Sequence, residues 1–427
     1  MKTDLKIIII GGGIGGVTLA NAIKKYGDGK CSVHIYEKEM TVSSTAFKGY
    51  TIGLNQMGRD SLREALDIEK YDRLTSELIQ SGGQYVVTDR QLNPLINFSC
   101  SSYVDRDRLC GLLREGIDVH YGMKFKSYTE DNDGVSVFFE DGSCERADFL
   151  VGADGVHSVV RHQKLPLFQM EDVNVYSIQA LIPNVGDDVI DLLFKQDNTL
   201  ITKTLGNKRN TIMFGKVKAQ ADAINFGVED IASIERIMEQ NEPGNTCLVI
   251  NYEWRPLVEN GRVDLPTGGR QYMLNTLRRD TGNFHPLVVD LLNRVAKPEH
   301  LINDQPKPMR QALPCRWPAA SRVTLIGDAI NAMTATSGCG GNLAMRDAID
   351  LGYALTDIIK NIAPLSIRMT AHEQMIVERG QQQIKLSRDC TEHMHSQELS
   401  HCSELFRNTI MRILNKLLIW GVVKIPN

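Results

Sequence analysis

The sequence predicts an α/β fold: a parallel-sheet domain split along the chain, an inserted antiparallel-sheet domain and a C-terminal helical tail. Three observations predict it. The β-branched run Lys6–Ile10 enters the glycine cluster Gly11–Gly16, then apolar residues at helical spacing, Val17, Ala20 and Ile23. A second buried run, Arg322–Ile326, ends in Gly327-Asp328 and precedes another glycine cluster, Gly338–Gly341, far along the chain. Between them, from about Val173 to Val217, short and partly alternating runs separated by polar turns suit an antiparallel sheet.

Composition sets the limits. A chain of 427 residues supports two or three domains, and 42% hydrophobic with 23% charged residues is ordinary globular composition. A net charge of −4 argues against a broad polyphosphate-binding surface, so no nucleic-acid partner is expected. The nine cysteines include no C-x-x-C pair, which reads as free thiols in a reducing compartment and gives no sign of a metal site. Ile7–Ile10 is too short for a signal-peptide core, and no stretch is apolar enough to span a bilayer. The expected location is cytoplasmic. The apolar segment Ile413–Ile425, interrupted by Asn415, Lys416 and Lys424, is expected to dock on the protein body. Its second reading is peripheral contact with an intracellular membrane. Nothing in the pattern speaks to oligomeric state.

The elements follow in order. Ser32–Tyr36 is a second strand, ending at Glu37 and completing a βαβ unit. Asp107–Glu115 reads as a short helix stopped by Gly116. Val135–Phe139 and Glu145–Val151 flank the turn Asp141-Gly142. Val189–Phe194, Thr199–Thr204 and Asn210–Phe214 read as strands of the inserted sheet. Ile231, Ile234, Ile237 and Met238 mark an amphipathic helix. Ala344, Ala348, Leu351, Leu355 and Ile358 mark a long one, and the chain reads as helical after about Leu365.

The first glycine cluster carries G-x-G-x-x-G at Gly11, Gly13 and Gly16, between a strand and a helix. Gly11 permits the tight turn, Gly13 admits a pyrophosphate, and Gly16 lets helix and strand pack closely. The helix N-terminus offers N–H groups to the phosphates. Glu37 is placed to accept from ribose hydroxyls, and its charge disfavours a 2′-phosphate. The bound dinucleotide is therefore FAD or NAD rather than NADP. Two further segments favour FAD. Phe149–Val151 leads to Asp154-Gly155 and Ser158-Val159-Val160-Arg161. Arg322–Ile326 delivers Asp328, suited to ribityl hydroxyls. Gly338–Asn342 can bring N–H groups to a flavin edge that becomes anionic on reduction.

These segments resemble those of the single-component FAD-dependent monooxygenases, the aromatic-hydroxylase, salicylate-hydroxylase and zeaxanthin-epoxidase group. The closest look is to fungal secondary-metabolite enzymes. The resemblance rests on Gly11, Gly13, Gly16 and Glu37, on Asp154, Gly155, Ser158 and Arg161, and on Gly327, Asp328, Gly338, Gly340, Asn342, Ala344, Asp347 and Ala348. It implies a Rossmann-like FAD-binding domain of the glutathione-reductase type over 1–75, 100–170 and 305–365. A substrate domain takes 76–99 and 171–304, and a helical segment 366–427. It implies cofactor contacts from Gly11, Gly13, Gly16, Glu37, Lys38, Gly49, Arg106, Asp154, Asp328, Gly340, Gly341 and Asn342. It also implies a reaction: NAD(P)H as co-substrate, O2, a flavin C4a-hydroperoxide, and hydroxylation or epoxidation of a small, mostly apolar natural-product substrate. The substrate would lie between the flavin and the inserted sheet, where Lys195, Lys203 and Arg209 are candidate contacts, each more readily a solvated side chain. Arg161 is a candidate for transient contact with the nicotinamide nucleotide, and His157 reads as a loop residue.

One stretch departs from the family. Where it usually has Ala-x-His-Pro-Met-x-Pro, this chain has Ala329-Ile330-Asn331-Ala332-Met333-Thr334-Ala335. Lost prolines imply a looser loop. Asn331 and Thr334 become the candidate catalytic residues. This departure supports a second reading, an FAD oxidase, dehydrogenase or cyclase on the same scaffold. A third is a flavin-binding protein without turnover.

Overall fold

The computed structural model describes residues 5–40, 51–100, 102–195, 199–217, 236–237, 239–242, 245–259, 262–263, 265, 268–315, 317, 321–395 and 398–419. In chain order the first half runs β1 (Leu5–Ile10), α1 (Ile14–Tyr26), β2 (Cys31–Glu37), β3 (Thr51–Gly53), α2 (Gln56–Ala65), α3 (Ile68–Arg73), β4 (Gly83–Asp89), β5 (Pro94–Cys100), β6 (Tyr103–Asp105), α4 (Arg106–Arg114), β7 (Asp118–Tyr121), β8 (Phe125–Asp131), β9 (Gly134–Phe139), β10 (Cys144–Ala147), β11 (Phe149–Gly152), α5 (Val159–Lys164) and β12 (Met170–Val185). The second half runs α6 (Asp187–Leu193), β13 (Thr199–Leu205), β14 (Asn210–Val217), β15 (Thr246–Trp254), β16 (Val258–Glu259), β17 (Arg262–Val263), α7 (Arg270–Asp280), α8 (Pro286–Asp290), β18 (Lys307–Ala312), β19 (Val323–Leu325), α9 (Asp328–Asn331), α10 (Gly340–Ile359), α11 (Leu365–His395) and α12 (His401–Ile419).

A five-stranded parallel sheet, ordered β19-β11-β1-β2-β7, forms the first layer. Ile9 of β1 registers with Ile35 on one side and Val151 on the other. Both faces of β1 are covered, so Ile7, Ile8 and Ile9 have no exposed surface and the strand reads as a continuous apolar run. Ile7 and Ile9 pack with Val17, Leu19 and Ile23 of α1 and Ala348 and Leu355 of α10. Ile8 and Ile10 pack against the three-stranded sheet β10-β9-β8 through Phe125, Val135 and Val137. The stretch read as one strand, Glu145–Val151, is two. Asp148 breaks it and takes the N–H of Lys6 on its carboxylate at 2.8 Å. β10 then completes the hairpin with β9, and β11 joins the parallel sheet.

The second layer is a seven-stranded sheet, ordered β18-β12-β15-β14-β13-β4-β5. It is antiparallel except for the parallel pair β4 and β13. β18 runs through residues assigned from sequence to the FAD-binding domain, yet pairs with β12 in this sheet. The run Val189–Phe194 lies mostly in a helix, α6, rather than a strand. Asp187 and Asp188 in its first turn favour that end of the helix, and Val189, Ile190 and Leu193 share its buried face. The amphipathic pattern from Ile231 to Met238 lies almost wholly outside the described residues. α7 and α8 cover one face of the sheet, where Ile212, Phe214, Ile250 and Tyr252 meet Met273, Leu277 and Val288.

α11 crosses from the parallel sheet to the other face of the seven-stranded sheet. α12 then docks along β5 and its neighbours. Asn415 accepts from the Asn97 N–H at 3.0 Å, Arg412 pairs with Asp89 at 3.2 Å, and Arg90 pairs with Glu404 at 2.9 Å. Docking was the expected reading of the segment from Ile413; Asn415 makes such a contact, while Ile413 and Leu414 remain exposed, and residues 420–425 lie outside the described residues. Among the described residues no helix is long and apolar enough to cross a membrane.

α1 and α10 meet along a seam of small residues. A Cβ on Gly352 would fall 2.9 Å from the Ala22 Cβ, and one on Gly15 would fall 3.6 Å from the Ala344 Cβ. Gly352→Val should therefore wedge the two helices apart and destabilise the protein by about 1–3 kcal/mol, measured by urea denaturation of the FAD-loaded protein.

Candidate active site

The glycine turn after β1 is built by backbone proximity. Gly11 has φ +107°, and a Cβ there would lie 2.3 Å from the Ala153 carbonyl oxygen. At Gly16 it would lie 2.1 Å from the Gly11 oxygen. Both positions require glycine while β1, β11 and α1 stay this close. Gly13 differs. The nearest atom to a Cβ there is Nη2 of Arg106 at 3.8 Å, so its outer side has room for a ligand. The Gly12 N–H donates to Oε2 of Glu37 at 2.7 Å, and Arg114 donates to the Gly12 carbonyl at 2.9 Å. Glu37 thus pins the turn at the end of β2, and Lys38 beside it is exposed. Arg114 was not foreseen. A basic residue in the last turn of a helix reads as ordinary dipole complement, which hides its second role.

The second half of the site comes from the far end of the sequence. Gly327, with φ +59°, turns the chain from β19 into α9. Asp328 faces solvent yet sits deep among protein atoms. That desolvation, then the charge of Asp347, raises its carboxyl above the usual range, and Arg106 pulls the other way. Arg106 therefore acts on both halves, beside Gly13 and within electrostatic reach of Asp328. Gly340 completes the group, since a Cβ there would lie 3.9 Å from Oδ1 of Asp328.

The helix ends show what this space is built to receive. α2, α3, α4 and α5 are each capped by a side chain, from Asn55, Asp67, Asp105 and Ser158. α1 and α10, like α7 on the seven-stranded sheet, have no side-chain cap and no acidic residue in the first turn. Their N–H groups and dipole ends are left for an anionic or electron-rich ligand.

The remaining predicted residues divide. Asp154 caps α5 through Oδ2, which accepts from Val159 at 2.8 Å, while its Oδ1 is buried without a hydrogen-bond partner among the described residues. Asn342 ties α10 to the segment carrying β3, donating to the Gly53 carbonyl at 2.9 Å and accepting from the Asn55 N–H at 3.1 Å. Gly341 lies against Ile52. Gly49 lies outside the described residues. Arg161 is buried, donating to the carbonyls of Ala329 and Val156 at 3.0 and 2.7 Å, so it is engaged inside the protein rather than offered to a nucleotide. His157 is exposed on its loop.

Asn331 and Thr334, the candidate catalytic pair, turn their side chains toward α11. The Asn331 amide donates to Asp347 at 3.1 Å and to the Ile376 carbonyl at 3.3 Å, and Gly380 leaves room for it. The Thr334 hydroxyl meets Ser387 at 2.6 Å and Thr391 at 3.0 Å, and its carbonyl accepts from Ser387. Both are buried. The geometry makes them anchors of the loop. Side-chain hydrogen bonds supply the stiffness that prolines would otherwise give. Asp347 is pinned in turn by Arg379 at 2.7 Å.

α11 then reaches the inserted sheet. Lys203 is not a solvated side chain: it is buried and bonds Glu253 at 2.8 Å. Thr211 and Asn251 also donate to the Glu253 carboxylate, each at 3.0 Å. Burial opposes both charges, yet each holds the other ionised, with Lys203 above and Glu253 below its ordinary value. Nε2 of His395 stands 3.9 Å from Glu253, and its Nδ1 bonds the Thr391 carbonyl at 3.0 Å. A polar path thus runs from the glycine loop through α11 to the sheet face. Of the other candidates, Lys195 is exposed and Arg209 sits in the β13–β14 turn with φ +57°.

A fold with an open glycine turn, an acidic strand end and two uncapped helix ends defines a dinucleotide-dependent flavoenzyme. A family model described as FAD binding domain matches residues 4–181 and 295–386, and the chain belongs to that family. It is 25% identical over 409 residues to the FAD-dependent monooxygenase thnD of Trichoderma harzianum, covering 90% of this chain and 92% of the relative. It is 26% identical over 378 residues to the chloroplastic zeaxanthin epoxidase of Spinacia oleracea, covering 83% of this chain and 48% of that one. The crystal structure of Klebsiella pneumoniae HpxO complexed with FAD and uric acid superposes with a TM-score of 0.68 at 18% identity, covering 96% of this chain and 93% of that one, and bears on the fold alone. The fold is the glutathione-reductase-type FAD fold, and its relatives place the chain among FAD-dependent monooxygenases. The residues present fit FAD: an open Gly13, a buried Asp154 oxygen awaiting a donor, and two uncapped helix ends.

α11 also fixes a response to acid. Burial lowers both His372 and His395 to about 4 from 6.5, so both are neutral in the folded protein. A depressed folded value means this stability is present above pH 6.5 and lost as pH falls toward 4. At pH 5 the loss is about 2 kcal/mol per histidine. Thermal melts at pH 7 and pH 5 should show a smaller acid shift in His372→Met than in the unsubstituted protein.

Proposed function

We propose that this chain is an NAD(P)H- and O2-using FAD monooxygenase that hydroxylates or epoxidises a small, mostly apolar substrate in secondary-metabolite biosynthesis. The observation that carries this reading is the polar path through α11, which joins the glycine loop at the cofactor to the buried face of the inserted sheet. A substrate held on that sheet is positioned by the same helix that positions the loop. The match to a fungal FAD-dependent monooxygenase along nearly the whole chain supports it.

The chemistry supplied by bound FAD is two-electron acceptance from NAD(P)H and activation of O2, with one oxygen atom passing to the substrate. This chain's residues bind and shield. Gly11–Gly16 and the α1 N-terminus take the pyrophosphate, and Glu37 takes the adenosine ribose. Arg106 and Asp328 hold the middle of the cofactor. Gly340, Gly341 and the α10 N-terminus favour negative charge at the flavin edge. Asn331 and Thr334 hold the loop at that edge to α11. The oxidase, dehydrogenase or cyclase reading rested on a loosened loop, and the hydrogen bonds of Asn331 and Thr334 weigh against looseness.

The purified protein should carry FAD with a two-band visible spectrum. Asp328→Ala should weaken FAD binding by about 10–100-fold, the worth of a hydrogen bond to a charged group, read by flavin fluorescence. NAD(P)H consumption against a panel of aromatic and terpenoid-like compounds should match O2 uptake. One 18O atom should enter the product. Oxidation of a substrate with no 18O incorporation and no NAD(P)H use would move the assignment to the oxidase reading.

A further inference from the structure

We propose that His34, Asp118 and His120 form a binding site for a zinc-class divalent cation at the edge of the parallel sheet. The site lies apart from the cofactor contacts above. β2 and β7 run parallel, and their register sets His34 beside Asp118 and Tyr36 beside His120. Alternation then turns all four side chains to one face of the sheet. Nδ1 of His34 is 2.7 Å from Oδ2 of Asp118, and Nε2 of His120 is 3.2 Å from the same oxygen. The three ligand atoms lie within 4.8 Å of one another.

Two features make this more than a chance grouping of polar side chains. The His120 ring is stacked on Tyr36, with centroids 4.6 Å apart and planes 11° apart, and Tyr36 packs in turn on Phe139. One ligand is therefore oriented by the core before any ion arrives. All three side chains also keep solvent contact, at 25%, 54% and 40% exposure for His34, Asp118 and His120, so an ion has a way in.

The ligand set names the ion class. Two imidazole nitrogens and one carboxylate oxygen suit zinc and its first-row neighbours, whereas magnesium and calcium prefer oxygen alone. Three protein ligands leave the fourth tetrahedral position for water. Binding replaces the two histidine–aspartate hydrogen bonds by bonds to the ion; each ring coordinates as a neutral imidazole, its proton carried on the nitrogen that does not bind the metal. No ligand-spacing motif announces the site, because its members come from two strands joined only by sheet pairing. An ion here would fasten the short edge strand β7 to β2. Beyond β7 the Gly122 and Met123 N–H groups bond the carbonyls of Glu39 and Glu37 at 2.7 and 2.9 Å, so the clip would also steady the strand end that carries Glu37.

The test is calorimetric titration of ZnCl2 into the FAD-loaded full chain, with exposed thiols blocked by N-ethylmaleimide. One ion per chain should bind in the micromolar range. His34→Gln and His120→Gln should each weaken binding by roughly tenfold or more, since losing a ligand costs at least as much as losing a ligand's orienting partner. His401→Gln, an exposed histidine elsewhere, should leave it unchanged. Zinc should also raise the melting temperature of the unsubstituted protein and not that of Asp118→Asn, whose shape is kept. The proposal is overturned by the absence of saturable binding up to millimolar zinc, or by one-to-one binding that both glutamine variants retain.

Discussion

The structure depends on how closely α1 can approach α10. One helix opens the chain's cofactor site and the other completes it near the far end of the sequence. They meet only because Gly15, Gly352, Ala22 and Ala344 leave almost no side chain between them. Close packing at that seam sets two uncapped helices side by side, with Arg106 beside Gly13 and Asp328 beside Gly340. The small residues therefore act at a distance, since most of them touch no cofactor-binding group. The cost of the approach is strict: at Gly11 and Gly16 a single added carbon would collide with backbone, which has nowhere to retreat.

α11 is the second constraint. It fixes the loop after β19 by hydrogen bonds from Asn331 and Thr334, holds Asp347 through Arg379, and carries His395 to the Lys203–Glu253 pair. A buried ion pair is a poor investment in stability, because desolvation offsets most of its attraction. Its value here is directional. It spans β14 from β13 to β15 within the sheet, and His395 of α11 stands 3.9 Å from its carboxylate. Arg255, bonded twice to Glu392 at 2.8 Å, reinforces the same junction.

Much of this was legible in the sequence where local rules and function agree. The β1–turn–α1 unit was readable because glycine spacing, a β-branched strand and a terminal acid point the same way. The far strand, its aspartate and the long helix after it were readable for the same reason. Partnership across the chain was not. Lys203 looks like a solvated lysine until Glu253 arrives opposite it from another strand. Asn331 and Thr334 looked catalytic because they stand where the family carries other residues, but the helix that claims them lies dozens of residues onward. β18 falls in a stretch that the resemblance assigns to the FAD-binding domain, and no local pattern shows that β12 has a free edge for it; β4 pairs in parallel with β13 because the chain returns to it after a long excursion. Val189–Phe194 was misread because a short apolar run fits a strand or a helix equally well, and the acidic first turn decided it.

The interleaving of the two layers also governs how the chain must be made. β11 waits with one edge open until β19, a strand synthesised some 170 residues later, closes it. The seven-stranded sheet likewise draws its strands from three separated stretches and gains β18 late. Neither layer is a segment that can be cut out and expressed alone. β11 and β12 therefore leave the ribosome well before β19 and β18, and nascent protein carries those unpaired strand edges in the interval. Such distant pairing slows folding, and the two open edges need shielding until their late partners arrive.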